Sequence, residues 1–163
     1  FGNTNSYCQD NEISWIEWSL LEKNKDLFEF FKFMIDYRKK HPVIRKKLDN
    51  AVCGMEAMHA HDVNAERMEV PQNAKTLAVS FAGYDRKKGK DDLVYVAVNA
   101  YWEEVKITLP NLANHGAWYL SVDTYGDEKG KYFYQEGEEI RIDREYVMKP
   151  RSIVVFTGRE ILR

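Results

Sequence analysis

Between Thr76 and Leu109 the chain switches its apolar side chains on and off with a period of two. Leu77, Val79 and Phe81 alternate with Ala78 and Ser80; Val94, Val96 and Val98 alternate with Tyr95 and Ala97; Val105, Ile107 and Leu109 alternate with Lys106 and Thr108. Successive side chains of a strand point to opposite faces, so this pattern suits half-buried β-strands and cannot lie along one face of a helix. The same reading extends to Gly54–His61, Thr76–Tyr84, Asp92–Asn99, Glu103–Leu109, Ala117–Thr124, Glu138–Asp143 and Ser152–Thr157. Turn chemistry separates these runs. Asp85 to Asp92 forms a charged hairpin loop, Tyr125-Gly126-Asp127-Glu128-Lys129-Gly130 a turn, and Asp62 to Lys75 a long polar loop. Seven or eight short alternating strands at this spacing predict an antiparallel β-sandwich. The fold class is mainly β.

Before about Leu48 the pattern is different. Ser14-x-x-Glu17 has the form of a capping box and predicts a helical turn through about Leu21. A longer helix is expected from Lys25 to Lys40, with Asn24 as N-cap, Asp26 in the first turn and Arg38-Lys39-Lys40 in the last. Pro42 stops it. At about 100° per residue its apolar positions cover an arc of roughly 220°, twice the stripe of a one-sided surface helix. Only Glu29, Lys32, Asp36 and their neighbours form a polar strip. Such a helix needs covering from two sides, and an uncovered side through Leu27, Phe30 and Phe33 would pair two copies as a homodimer.

Composition excludes several functions. The formal net charge is −2, which gives no electrostatic reason for nucleic acid or an anionic membrane as partner. The clusters Arg38-Lys39-Lys40 and Arg45-Lys46-Lys47 read as solvated helix-end charges. No apolar run approaches the roughly 18 residues of a membrane span. Cys8 and Cys53 form neither a disulfide framework nor a CxxC site, which favours a reducing compartment and a cytoplasmic location.

Candidate chemistry is sparse. Asp10 and Glu12 are a carboxylate pair of the type that cleaves glycosides, but their Asn and Ser neighbours make them plain hydrogen-bond partners of a loop entering a helix. His59-x-His61 with Asp62 places two potential metal ligands on one strand face without a fourth ligand, and reads as ordinary strand-end histidines. No cofactor or metal site is expected. Aromatics make up 13% of the chain, and several stand where strands meet turns. Tyr101, Trp102 and Trp118 are the candidates for stacking on sugar faces, against the alternative of half-buried sandwich rings.

The opening stretch carries a specific signal. The string GNTNSYCQDNEISWIEWSLLEKN resembles, almost residue for residue, the segment after the eighth barrel strand in isoamylase-type debranching enzymes, where the usual pattern is Gly-Asn-Asn-Asn-Ala-Tyr-Cys-Gln-Asp-Asn-Glu. Thr4 replaces the middle Asn and Ser6 the Ala. These enzymes belong to the α-amylase family of glycoside hydrolases. Phe31 to Pro42 with Val43-Ile44-Arg45 looks like the last barrel helix and its exit. Leu93 to Ala100 and Lys149 to Phe156 look like strands of the family's carboxyl-terminal sandwich. One departure is HAHDVNAERMEV after Met58, where the family commonly has a His-Gly turn and a Pro-Asp.

The resemblance implies a carboxyl-terminal fragment in two parts: residues 1–48, the terminal loop and last helix of a TIM barrel, and residues 49–163, the sandwich. The parent is then similar to enzymes that hydrolyse α-1,6-glucosidic branch points in glycogen, limit dextrins or maltooligosaccharides. Their Asp nucleophile and Glu acid/base lie on barrel strands, so Asp10 and Glu12 do not inherit those roles and the chain alone is expected to be inactive. By the same resemblance Asn3, Asn5 and Tyr7 line the cleft, while Gln9, Asp10 and Asn11 brace the loop. The sandwich supports the barrel, or acts as a glycan-binding module through its strand-end aromatics.

Overall fold

A computed structural model describes residues 7–65, 70–113 and 116–159. Among these residues eight strands follow two α-helices and a 3-10 turn: α1 (Leu20–Lys23), α2 (Lys25–Lys40), the turn Pro42–Ile44, then β1 (Met58–His61), β2 (Thr76–Asp85), β3 (Lys90–Asn99), β4 (Val105–Thr108), β5 (Ala117–Asp123), β6 (Ile140–Ile142), β7 (Glu145–Met148) and β8 (Ser152–Arg159). Six strands form one sheet in the order β1-β2-β3-β8-β5-β6, and β4 pairs with β7 in a second. Every pairing is antiparallel. The mainly β, antiparallel reading therefore holds.

The period-two pattern sorts the six-stranded sheet into two faces. Leu93, Tyr95, Ala97, Trp118, Leu120, Val154 and Phe156 turn toward the small sheet and pack with Ile107, Leu109 and Met148 into the main core. Val94, Val122 and Val155 turn the other way and are covered by Tyr37 and Val43, with Phe30, Phe33 and Met34 of α2 beside them. The result is three layers: helix, large sheet, small sheet. Gly158 shows how tightly the large sheet packs on its own inner face, because a Cβ there would stand 2.8 Å from the Leu93 Cβ on β3 and 3.0 Å from the Trp118 ring on β5, its partners on either side.

Three local features depart from the expectations. The strand expected over Glu138–Asp143 forms as β6, but it is followed by an unexpected strand, β7, which crosses to the small sheet. The capping box does not form: the Ser14 hydroxyl donates to the Asn11 carbonyl at 3.0 Å, and the first helical turn begins only at Leu20. Asn24 does not cap α2 through its side chain but donates back to the Leu20 carbonyl at 3.0 Å. The helix itself runs from Lys25 to Lys40, as its periodicity predicts.

The carboxyl end of α2 is fastened to the sheet by one carboxylate. Asp92 on β3 accepts from His41 Nδ1 at 2.6 Å and from the Val43 amide at 3.1 Å. Higher up, Phe33 stacks on Phe133 with ring centroids 4.5 Å apart. Phe30 and Phe33 thus face the sheet, and the homodimer face drawn through Leu27, Phe30 and Phe33 is corrected. The exposed side of α2 is Leu27, Phe28, Phe31 and Ile35; Trp15, Ile16 and Trp18, before the helix, are exposed as well.

Candidate functional site

The residues singled out in the sequence fall in three places. Asn3 and Asn5 lie outside the described residues, while Tyr7 is 81% exposed. Next to it, Cys8 takes a positive φ of 54° and Asp10 accepts from the Trp15 indole at 3.0 Å. Asn11 accepts the Ile13 amide through its side chain at 3.0 Å, and its backbone carbonyl accepts the Ser14 and Trp15 amides at 2.9 and 3.1 Å. Local turn bonds therefore occupy Asp10 and Asn11.

Tyr101 and Trp102 sit together at the end of β3, their ring centroids 4.2 Å apart. Trp102 is 66% exposed, and Lys75 Nζ lies 3.8 Å from the Tyr101 centroid and 5.2 Å from that of Trp102. Their base is Asn99, whose Nδ2 donates to the Glu103 and Lys149 carbonyls at 2.9 and 3.0 Å and whose Oδ1 accepts the Tyr101 amide at 3.0 Å. Trp118 is not part of this platform. It is 2% exposed, inside the main core, with its indole N–H donating to the Pro110 carbonyl at 2.7 Å. A strand buried on both faces has no ring face left for a sugar, so Trp118 is corrected from a stacking candidate to a core residue.

His59 and His61 meet edge to face at 4.8 Å. The His61 ring is buried, with Nδ1 donating to the Ala65 carbonyl at 3.1 Å and Nε2 accepting from the Ser80 hydroxyl at 2.8 Å. This pattern uses both ring nitrogens of a neutral imidazole, and burial lowers its pKa accordingly. Among the described residues no three His, Cys, Asp or Glu side chains gather where they could hold a metal.

A third place has no counterpart in the sequence reading. Between α2 and the large sheet lies a cleft of about 470 Å³, of a size usual for small-ligand sites. A β-bulge builds its floor. In β5 the register shifts between Leu120, opposite Phe156, and Val122, opposite Val155, so Ser121 is the extra residue. The Ser121 hydroxyl reaches Thr157 Oγ1 at 2.8 Å, and Thr157 Oγ1 in turn reaches the Tyr37 hydroxyl at 2.8 Å. Burial pushes the Tyr37 hydroxyl above the usual phenol range, so it stays protonated and able to donate. Phe33, half-buried, and the buried Tyr37 and Tyr134 line the cleft. Lys40 and Glu136 face each other at 3.8 Å between α2 and the loop before β6, and Arg159 pairs with Glu139. Helix, bulge, strand end and loop meet here from four distant parts of the chain.

Comparison with known proteins agrees with this architecture. The family described as "Isoamylase, C-terminal" matches residues 53–157. The chain is 49% identical over 47 residues to a glycogen operon protein GlgX homolog of Mycobacterium tuberculosis (strain ATCC 25618 / H37Rv), covering 29% of this chain and 6% of that protein. It is 30% identical over 125 residues to isoamylase 3, chloroplastic, of Oryza sativa subsp. japonica, covering 76% of this chain and 15% of that one. Over an alignment of 179 positions it is 27% identical to the isoamylase of Flavobacterium sp, covering 98% of this chain and 22% of the relative. The chain thus spans less than a quarter of the length of these relatives. The family match covers the sheets and their connections, the part of the molecule that forms the main core, and the chain belongs to the isoamylase carboxyl-terminal family.

Proposed function

We propose that this chain is the non-catalytic carboxyl-terminal part of a debranching enzyme that hydrolyses α-1,6-glucosidic linkages in glycogen or related α-glucans. Its sandwich would support a catalytic barrel. The observation that carries this reading is the uncovered side of α2. Leu27, Phe28, Phe31 and Ile35 are each about half exposed or more and lie along one side of the helix. Single exposed apolar residues are ordinary, but a contiguous set of this kind marks an interface. The names of the relatives supply the class of activity, and the chain's small share of their length supports a larger parent. In this reading Asn3, Asn5 and Tyr7 belong to the wall of the parent's cleft, and two cysteines that form no disulfide accord with a cytoplasmic location. Among the described residues no helix is long and apolar enough to cross a membrane.

The test is reconstitution. The chain is mixed with the separately produced catalytic remainder of the parent, and co-elution and release of branches from limit dextrin are measured. Both are expected, neither component alone should debranch, and Leu27→Glu with Phe31→Glu should abolish co-elution. Debranching by this chain alone overturns the reading. Without the remainder, the same side of α2 should pair two copies as a homodimer, and a monomer by sedimentation velocity across all concentrations counts against that. A second reading rests on the Tyr101–Trp102 pair. An exposed indole beside a tyrosine suits a sugar-stacking surface, making the sandwich a glycan-binding module.

A further inference from the structure

The cleft between α2 and the large sheet has a composition that selects its ligand. Five cationic side chains and six carboxylates line it, among them Lys40, Lys90, Arg159, Asp36 and Glu136. Near-balanced charge disfavours strongly anionic or cationic ligands, since each would meet repulsion equal to its attraction. Tyr37 and Tyr134 are buried and offer no open ring face, so the apolar area comes from the half-buried Phe33, and the polar border leaves no room for a wholly apolar molecule. What fits is a neutral ligand with apolar faces and many hydroxyls on its edges.

The floor adds a matching device. Tyr37, Thr157 and Ser121 form a chain of three hydroxyls joined by two short contacts of 2.8 Å each. Three O–H protons serve those two contacts, so one proton remains. Among the described residues the further acceptor beside the Ser121 hydroxyl is the Tyr119 carbonyl at 3.5 Å, which is long for an O–H···O bond. Because hydroxyls rotate, the chain can present its spare donor at either end, and a lone pair at the other. A ligand hydroxyl, itself donor and acceptor, is complementary to both.

We propose that this cleft is a subsite for a short α-glucan segment, held by contact with the half-buried Phe33 ring, by the hydroxyl floor and by the Lys40, Lys90, Glu136 and Arg159 heads along its edge. The ligand class rests on the debranching reading above; the balanced charge and the hydroxyl floor stand without it. The subsite is separate from the Tyr101–Trp102 platform, which lies at the other end of β3 where Asn99 holds it.

The experiment is an amide NMR titration of the full chain with maltoheptaose, repeated with cellohexaose. Saturable shifts are expected at Lys90, Gln135, Glu136 and Gly158. Lys90→Ala combined with Glu136→Ala should raise the apparent Kd at least about tenfold, since two of the charged heads that hold the ligand are lost. Both positions are surface heads, so the variant should fold, which its unperturbed amide spectrum would verify. Trp102→Ala should leave these shifts unchanged. Shifts confined to Tyr101 and Trp102, no saturable shift, or equal response to cellohexaose each overturn the proposal. Such a failure leaves the debranching reading untouched, because limit-dextrin hydrolysis by the reconstituted parent is measured separately.

Discussion

Asn99→Ala should remove a single small side chain and loosen one end of the whole sheet. Asn99 is 1% exposed and lies at the end of β3, opposite Thr76 of β2 on one side and Ser152 of β8 on the other. Its amide makes three bonds of 2.9, 3.0 and 3.0 Å, to the Glu103 carbonyl, the Lys149 carbonyl and the Tyr101 amide. A typical intramolecular hydrogen bond contributes about 1 kcal/mol, and more where its loss strands a buried partner. The expected cost is therefore about 3 kcal/mol. For a chain of this length that lowers Tm by roughly 6–12 °C. Urea unfolding followed by tryptophan fluorescence measures it as a shift in midpoint at constant m-value. Asn99→Asp separates the contributions: the carboxylate keeps the Tyr101 acceptor but sets a negative charge against two carbonyls. It should cost at least as much at pH 7 and recover partly in acid, where protonation restores one donor. A loss below about 1 kcal/mol in Asn99→Ala would refute the reasoning, since the three bonds could not then be holding the β3–β4 and β7–β8 connections together.

Two further predictions rest on buried polar groups. The Tyr95 hydroxyl is fully buried and has no hydrogen-bond partner among the described residues, so Tyr95→Phe should be neutral or raise stability by up to about 1 kcal/mol; clear destabilisation in urea melts would show that the hydroxyl is bonded in solution. His61 is held neutral by burial, its folded pKa lying below the unfolded value of about 6.5. The unfolded chain binds the extra proton first, so this contribution is fully present above pH 6.5 and is lost as pH falls toward the folded pKa. The charged and titratable groups near it are His59, Glu56 and Asp62, with Tyr95 against the ring. The unfolding midpoint should drop between pH 7 and pH 5.5, and His61→Gln should flatten that slope; an unchanged slope would place the titration elsewhere.

What the sequence made legible is what repeats locally. Alternation in Leu77–Phe81 and Val94–Val98 marks strands because each carries its own two faces, and α2 announces itself by apolar spacing and the stop at Pro42. The unpredicted features depend on partners far along the chain. Ser14-x-x-Glu17 has the letters of a capping box, but the Asn11 carbonyl captures the Ser14 hydroxyl. Trp118 looks like a strand-end aromatic until β8 and the Pro110 carbonyl enclose it. The bulge at Ser121 has no glycine or proline to signal it, and it exists only as a mismatch between β5 and β8. The cleft is the extreme case, assembled from α2, β3, β5, β8 and the loop before β6, none of which is distinctive alone.

The seating of α2 on Val94, Val122 and Val155 also bears on how such a sandwich can be inherited or transplanted. A recombination point just before Asp49 would look natural, since strands lie only beyond it. It would strip Phe30, Phe33, Met34, Tyr37 and Val43 from the sheet and turn three valines toward water. Successful crossovers, in evolution or in the laboratory, should therefore fall upstream of Lys25, so that the helix travels with the strands as one heritable block.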